Sequence, residues 1–189
     1  YELESDNILD LSHIEFVHPL FASPNVSRAP IECVVEGETV WSKRFIANDE
    51  LPEFLLQAFD VRAGSRADRW LEVRWNAPAC LALWSGGVLS GQPRETGREL
   101  PGAHLFTPET PSTTHYFFGS GLPRSLGPEA ETAVRDAIHP ASARQFVREG
   151  CAHHFRFVVG EYSAPHRIDL DRDSHSFQSN CGIHAAGSV

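Results

Sequence analysis

The chain has 189 residues, a formal net charge of −9, ten His, four Cys and no Met. Such a length predicts one domain able to bury a core, and the acidic balance argues against nucleic acid, which needs a basic face. No run of about 18 apolar residues is present to cross a membrane, the acidic, polar first residues do not read as a signal peptide, and the lack of Met predicts a fragment that does not begin at its natural start.

The first element is the stretch 6–18, Asp-Asn-Ile-Leu-Asp-Leu-Ser-His-Ile-Glu-Phe-Val-His. A helix beginning near Ser5 or Asp6 places Asn7, Asp10, His13 (or Ile14) and Val17 along one stripe. His18 lies five residues beyond His13, so it can aim at the same point only where the helix loosens. Pro19 supplies the reason, because the residue before a proline is pushed out of the α region. In a chain with ten His, this spacing alone carries little weight.

Residues 19–30 read as loop. Residues 31–35 and 39–46, joined through Glu36-Gly37, predict a β-hairpin. Residues 49–59 predict a short helix or lid, and 62–68 a polar loop. Arg69 to Trp75 alternates by twos as a half-buried strand, and Cys80 to Trp84 reads as its partner across Asn76-Ala77-Pro78. The Gly-containing segment 85–101 predicts a long flexible connection, and residues 103–107 and 113–118 a second strand pair. Helices at both ends of these strands give an α+β layer fold. Cys33 and Cys80 lie in apolar runs and predict buried thiols of a cytoplasmic protein; the four cysteines, with Cys151 and Cys181, are too scattered for a disulfide framework.

Asp6-Asn7-x-x-Asp10-x-x-His13-x4-His18 resembles the iron-ligand motif of Rieske-type non-heme iron oxygenases, in the vanillate and dicamba O-demethylase branch. The strings Val73-Arg74-Trp75-Asn76, Leu105 to Thr110 and His115 to Gly119 look like catalytic-domain strings of that branch, in its order. The resemblance covers residues 1–137. It implies a helix-grip fold, a curved antiparallel sheet wrapped round helices with the substrate pocket between them. It implies mononuclear Fe(II) held by His13, His18 and a late carboxylate, a facial triad that leaves positions for O2. Asp10 would fix the His13 tautomer and, as in the family, bridge the iron to a Rieske cluster on a neighbouring subunit. Asn7 would add a further polar group behind the metal. His104 would contact the substrate, while Trp84 and Phe117 could wall an aromatic pocket; His115 reads as structural. The [2Fe–2S] cluster is expected in an N-terminal domain outside this chain, and the intact protein as a homotrimer served by a reductase or ferredoxin.

The third ligand departs from the pattern. Gly150 stands where the family has Asp; the adjacent Glu149 and the earlier Asp136 are the alternatives, or no carboxylate ligand is intact. Residues 138–189 change character, with five Arg against five carboxylates and six of the ten His. This segment is expected to be atypical and poorly packed. Cys151-Ala152-His153 and Cys181-Gly182-Ile183-His184 have the ligand types of a Rieske centre, but in the wrong place in the chain and with too long a gap. The leading function is oxygenation or O-demethylation of a small aromatic compound, with electrons from NAD(P)H. A helix-grip module binding an apolar molecule without redox chemistry is the second reading. A two-His hydrolase is the third, although no H-E-x-x-H is present.

Overall fold

The computed structural model describes residues 1–110 and 113–123, the single positions 129 and 132, and the backbone of 155–162. Helix α1 (Glu2–Leu9), a 3-10 turn (Leu11–His13) and α2 (Ile14–Val17) precede strands β1 (Glu32–Glu36) and β2 (Thr39–Asp49). Helix α3 (Glu53–Ala58) follows, then β3 (Ala67–Asn76), β4 (Cys80–Leu89), a 3-10 turn (Arg94–Thr96), β5 (Arg98–Thr110), β6 (Thr113–Pro123) and β7 (Phe155–Tyr162). The seven strands form one sheet in chain order. Pairings from β1 to β6 are antiparallel, and β7 pairs parallel to β6. This is the expected α+β architecture, with one strand, β7, that the sequence reading does not contain.

Local chemistry explains the turns. Glu36 pairs with Thr39, so Gly37 and Glu38 make a two-residue loop. Gly37 takes φ +60, the positive φ that a II′ hairpin turn needs at its first central position. Between β3 and β4 the Ala77–Pro78 peptide is cis.

Two apolar clusters lie against the sheet. The larger joins Ile8, Leu11 and Ile14 of the helical segment to Leu71, Val73, Leu81, Phe106, Tyr116 and Phe118 of the strands. The N-terminal amine donates to Thr114 Oγ1 at 2.9 Å, and Ser42 Oγ donates to the Leu9 carbonyl at 3.0 Å, so both ends of α1 are fastened to the sheet. The second cluster seats α3, through Leu55, Leu56 and Phe59, on Ala67, Leu100 and Leu122.

Four local expectations are corrected. The first helix does not run through Asp10, which has φ −90 and ψ 93 and ends α1. Segment 85–101 is largely strand, because β4 continues to Leu89 and β5 begins at Arg98. Two of its glycines serve packing: a Cβ at Gly86 would collide with the Trp70 indole, and one at Gly87 would lie 2.5 Å from the Phe59 ring. The middle of β3 is covered on both faces, not one. On the face away from the helices, Arg94 sits 4.5 Å over the Trp70 ring and pairs with Glu72 at 2.8 Å and Glu99 at 3.1 Å. Finally, Cys33 and Cys80 are exposed rather than buried. Cys33 is on edge strand β1, where Ile31 and Val35 on the same side are exposed as well, and Cys80 opens β4.

Candidate metal centre

The break at Asp10 sets up the site. Its Oδ1 accepts the Ser12 amide at 3.0 Å and so caps the 3-10 turn that carries His13. Arg44, buried on β2, donates through Nη2 to Ser12 Oγ at 2.6 Å and to Asp10 Oδ1 at 3.4 Å, and through Nη1 to the Val26 carbonyl. The same β2 face carries Ser42 and Arg44, so one strand holds both the end of α1 and the turn after it. Burial pushes the Asp10 carboxyl up, but the Ser12 hydrogen bonds, Arg44 and His13 outweigh it and hold it below its usual value.

His13 Nδ1 lies 2.6 Å from the Asp10 backbone carbonyl. A carbonyl only accepts, so Nδ1 carries the proton and Nε2 keeps its lone pair. The expectation that Asp10 fixes the His13 tautomer therefore acquires a different atom: the carbonyl does it, while the carboxylate faces Ser12 and Arg44 and is 62% exposed. Desolvation lowers the His13 pKa, with Asp10 opposing and Arg44 adding to the effect, and this favours the neutral ligand form.

His18 leaves the helix as expected, with φ −118 and ψ 78 after α2. Its ring is buried, and it meets His13 edge-on at 5.3 Å between centroids. Two imidazoles on one first-row ion, with N–metal distances of ~2.1 Å, have centroids roughly 4.6–5.3 Å apart for N–metal–N angles of about 90–110°. The separation of this pair is at the wide, tetrahedral end of that range. Among the described residues no group of three His, Cys, Asp or Glu comes together. Glu149 and Asp136 lie outside the described residues, as do Cys151, His153, Cys181 and His184.

Both imidazoles border a cavity of about 140 Å³ between the helical segment and the sheet, near the ~150 Å³ that accommodates benzene in an engineered apolar cavity. His104 lines it from β5, its Nδ1 2.6 Å from the Tyr116 hydroxyl and its ring stacked on Phe118. Desolvation lowers the His104 pKa to about 4 and raises that of Tyr116. Trp84 and Phe117 are misplaced by one residue: Leu83, Ser85, Tyr116 and Phe118 line the cavity, while Trp84 packs on Trp41 at 5.7 Å. A strand alternates faces with every residue, so a one-residue error inverts the assignment. Knowing that His104 faces inward and pairs with Phe118 would have given the right parity, but that pairing depends on the irregular β5–β6 register near Pro108. Asn7 is half-buried on α1, one turn before Asp10 and off the cavity lining. His115 sits 3.6 Å from Glu109 on the sheet.

An apolar cavity between a helical segment and a largely antiparallel sheet, with two imidazoles on its wall, agrees with the catalytic domain of a Rieske-type oxygenase, the class that the family match shows. The chain belongs to the family "Vanillate O-demethylase oxygenase C-terminal domain", whose model matches residues 1–149 and so ends on Glu149. It is 31% identical over 139 residues to the oxygenase component of dicamba O-demethylase from Stenotrophomonas maltophilia, covering 71% of this chain and 40% of the relative. It is 32% identical over 143 residues to the iron-sulfur subunit of a toluene-4-sulfonate monooxygenase system from Comamonas testosteroni, covering 70% and 40%. A crystal structure of dicamba monooxygenase bound to dicamba shares the fold with a TM-score of 0.65 and 22% identity, over 100% of this chain and 49% of that one. The chain thus spans about two fifths of the length of these curated relatives. No helix of the described residues is long and apolar enough to cross a membrane.

Proposed function

We propose that this chain is the iron-holding and substrate-holding part of an oxygenase that uses O2 to hydroxylate or O-demethylate a small aromatic compound, with electrons passed from NAD(P)H through a reductase or ferredoxin and a Rieske centre. The observation that carries this reading is the edge-on pair His13 and His18, 5.3 Å apart on the wall of an apolar cavity sized for one ring. Fe(II), when bound, would supply the centre that activates O2.

The chain's own residues do the rest. His13 offers Nε2 because Asp10 holds its other nitrogen, and Arg44 holds the turn that carries both. Leu71, Leu83 and Phe118 give the cavity apolar walls that exclude water from an aromatic ligand. His104, kept neutral by burial, offers the cavity one polar group to orient that ligand. The Asp10 carboxylate is 62% exposed, and in this reading an electron-donating domain approaches the site there. Glu149 is the proposed third ligand.

Anaerobic Fe(II) titration of the chain, beside His13→Ala and His18→Ala, tests this. About one iron per chain is expected, with binding lost in both variants and weakened in Glu149→Ala. Iron binding that survives both His substitutions would refute the site and favour the cavity as a binding module without redox chemistry.

A further inference from the structure

Two polar side chains reach the cavity without any part in the metal centre. Arg69 on β3 is completely buried and lines the cavity. Its Nη1 donates to the Phe21 carbonyl at 2.9 Å, and its Nε has no hydrogen-bond partner. Ser85 on β4 lines the same cavity, and its buried Oγ is likewise without a partner.

The register places them together. Arg69 pairs with Gly87, and Leu71 with Ser85, so Ser85 is the diagonal neighbour of Arg69 on the cavity face. Diagonal positions are within reach of a side chain as long as arginine, and Gly87 interposes no side chain between them. The nearby counter-charge does not occupy Arg69. The two oxygens of buried Asp49 accept from Ser23 at 2.6 Å and Asn25 at 3.0 Å, so its charge acts on Arg69 through space. Desolvation lowers the Arg69 pKa to about 10, with Asp49 opposing, and the group stays cationic at neutral pH. Anchoring Phe21 accounts for one N–H of Arg69 and nothing of Ser85. Buried donors left unsatisfied cost free energy, and an acceptor bound between them relieves it.

We propose that Arg69 and Ser85 form an oxyanion subsite that takes the carboxylate or sulfonate of a small aromatic ligand held in this cavity. The proposal rests on the reading that the cavity holds an aromatic substrate. A guanidinium and a hydroxyl both donate to oxygens carrying negative charge, and a neutral amide of the same shape lacks that charge. Arg69 would then select the ligand class, while His13 and His18 hold the metal.

Calorimetric titration of the full chain, kept metal-free by a chelator, with benzoate, benzenesulfonate and benzamide tests the idea. At least one of the two anions is expected to bind about tenfold more tightly than benzamide, and the preferred anion identifies the headgroup. Ser85→Ala should weaken that anion several-fold and leave benzamide unchanged. Arg69→Gln should abolish the preference, and Arg69→Lys should keep part of it. If Arg69→Gln does not fold, Ser85→Ala and Arg69→Lys still decide. Equal affinity for all three probes, or an anion preference untouched by these substitutions, overturns the subsite while leaving the Fe(II) result at His13 and His18 standing. Failure of all three probes to bind removes the aromatic-cavity reading beneath it.

Discussion

Asp10 works through two different oxygens. Its carbonyl orients His13, and its carboxylate caps the Ser12 amide and meets Arg44. The carboxylate alone is visible in a sequence motif, which is why the motif points to the right residue and to the wrong atom. His104 shows the converse: a polar side chain among apolar ones reads equally as core or as site until its surroundings are known. Those surroundings make a pH prediction. Its folded pKa of about 4 lies below the ordinary His value near 6.5, so the unfolded chain binds the proton first. The stability tied to neutral His104 is complete above about pH 6.5 and falls as pH drops toward 4. Urea unfolding at pH 7 and pH 5 should show a loss about 2 kcal/mol larger in the parent chain than in His104→Gln. Equal losses would show that His104 does not carry the effect.

At the scale of elements, β4 decides where the cavity faces. Gly86 and Gly87 look like flexible linker in the sequence and stand in mid-strand in the fold, one against Trp70 and the other against Phe59. The absence of a Cβ lets large rings close over the sheet, while strand alternation sets which of Leu83, Trp84 and Ser85 face the cavity. Gly86→Ala is expected to destabilise by about 2 kcal/mol or more, because the indole of Trp70 cannot yield without releasing its bond to Glu99 and its stacking with Arg94. Thermal unfolding followed by tryptophan fluorescence reads this directly, and an unchanged midpoint would mean that Trp70 has room to move. The first helix teaches a related lesson. Periodicity predicts one continuous helix, yet Asp10 breaks it because its side chain offers the Ser12 amide a better partner than a helical carbonyl.

At the scale of the whole molecule, the site joins parts far apart in the chain: the helical segment supplies His13 and His18, β2 supplies Arg44, β3 and β4 supply Arg69 and Ser85, and β5 supplies His104. A ligand or metal binding there stabilises the folded state as a unit. Fe(II) at about 100 times its dissociation constant should add about 2.7 kcal/mol, or roughly 5–10 °C in midpoint for a chain of this size. Chelation should reverse the shift, and His13→Ala should show none. What the sequence determined by itself is the family, the α+β class and the two imidazoles, because these rest on short-range patterns: motif spacing, alternation by twos and the proline after His18. Only the tertiary structure decided that the Asp10 carbonyl holds His13, that Trp84 and Phe117 turn away from the cavity, and that Arg69 and Ser85 line the same cavity. The first depends on the backbone break at Asp10, which helical periodicity does not show; the other two depend on strand register, which is set by pairing between residues distant in the chain, where a shift of one position exchanges the inside of the sheet for the outside.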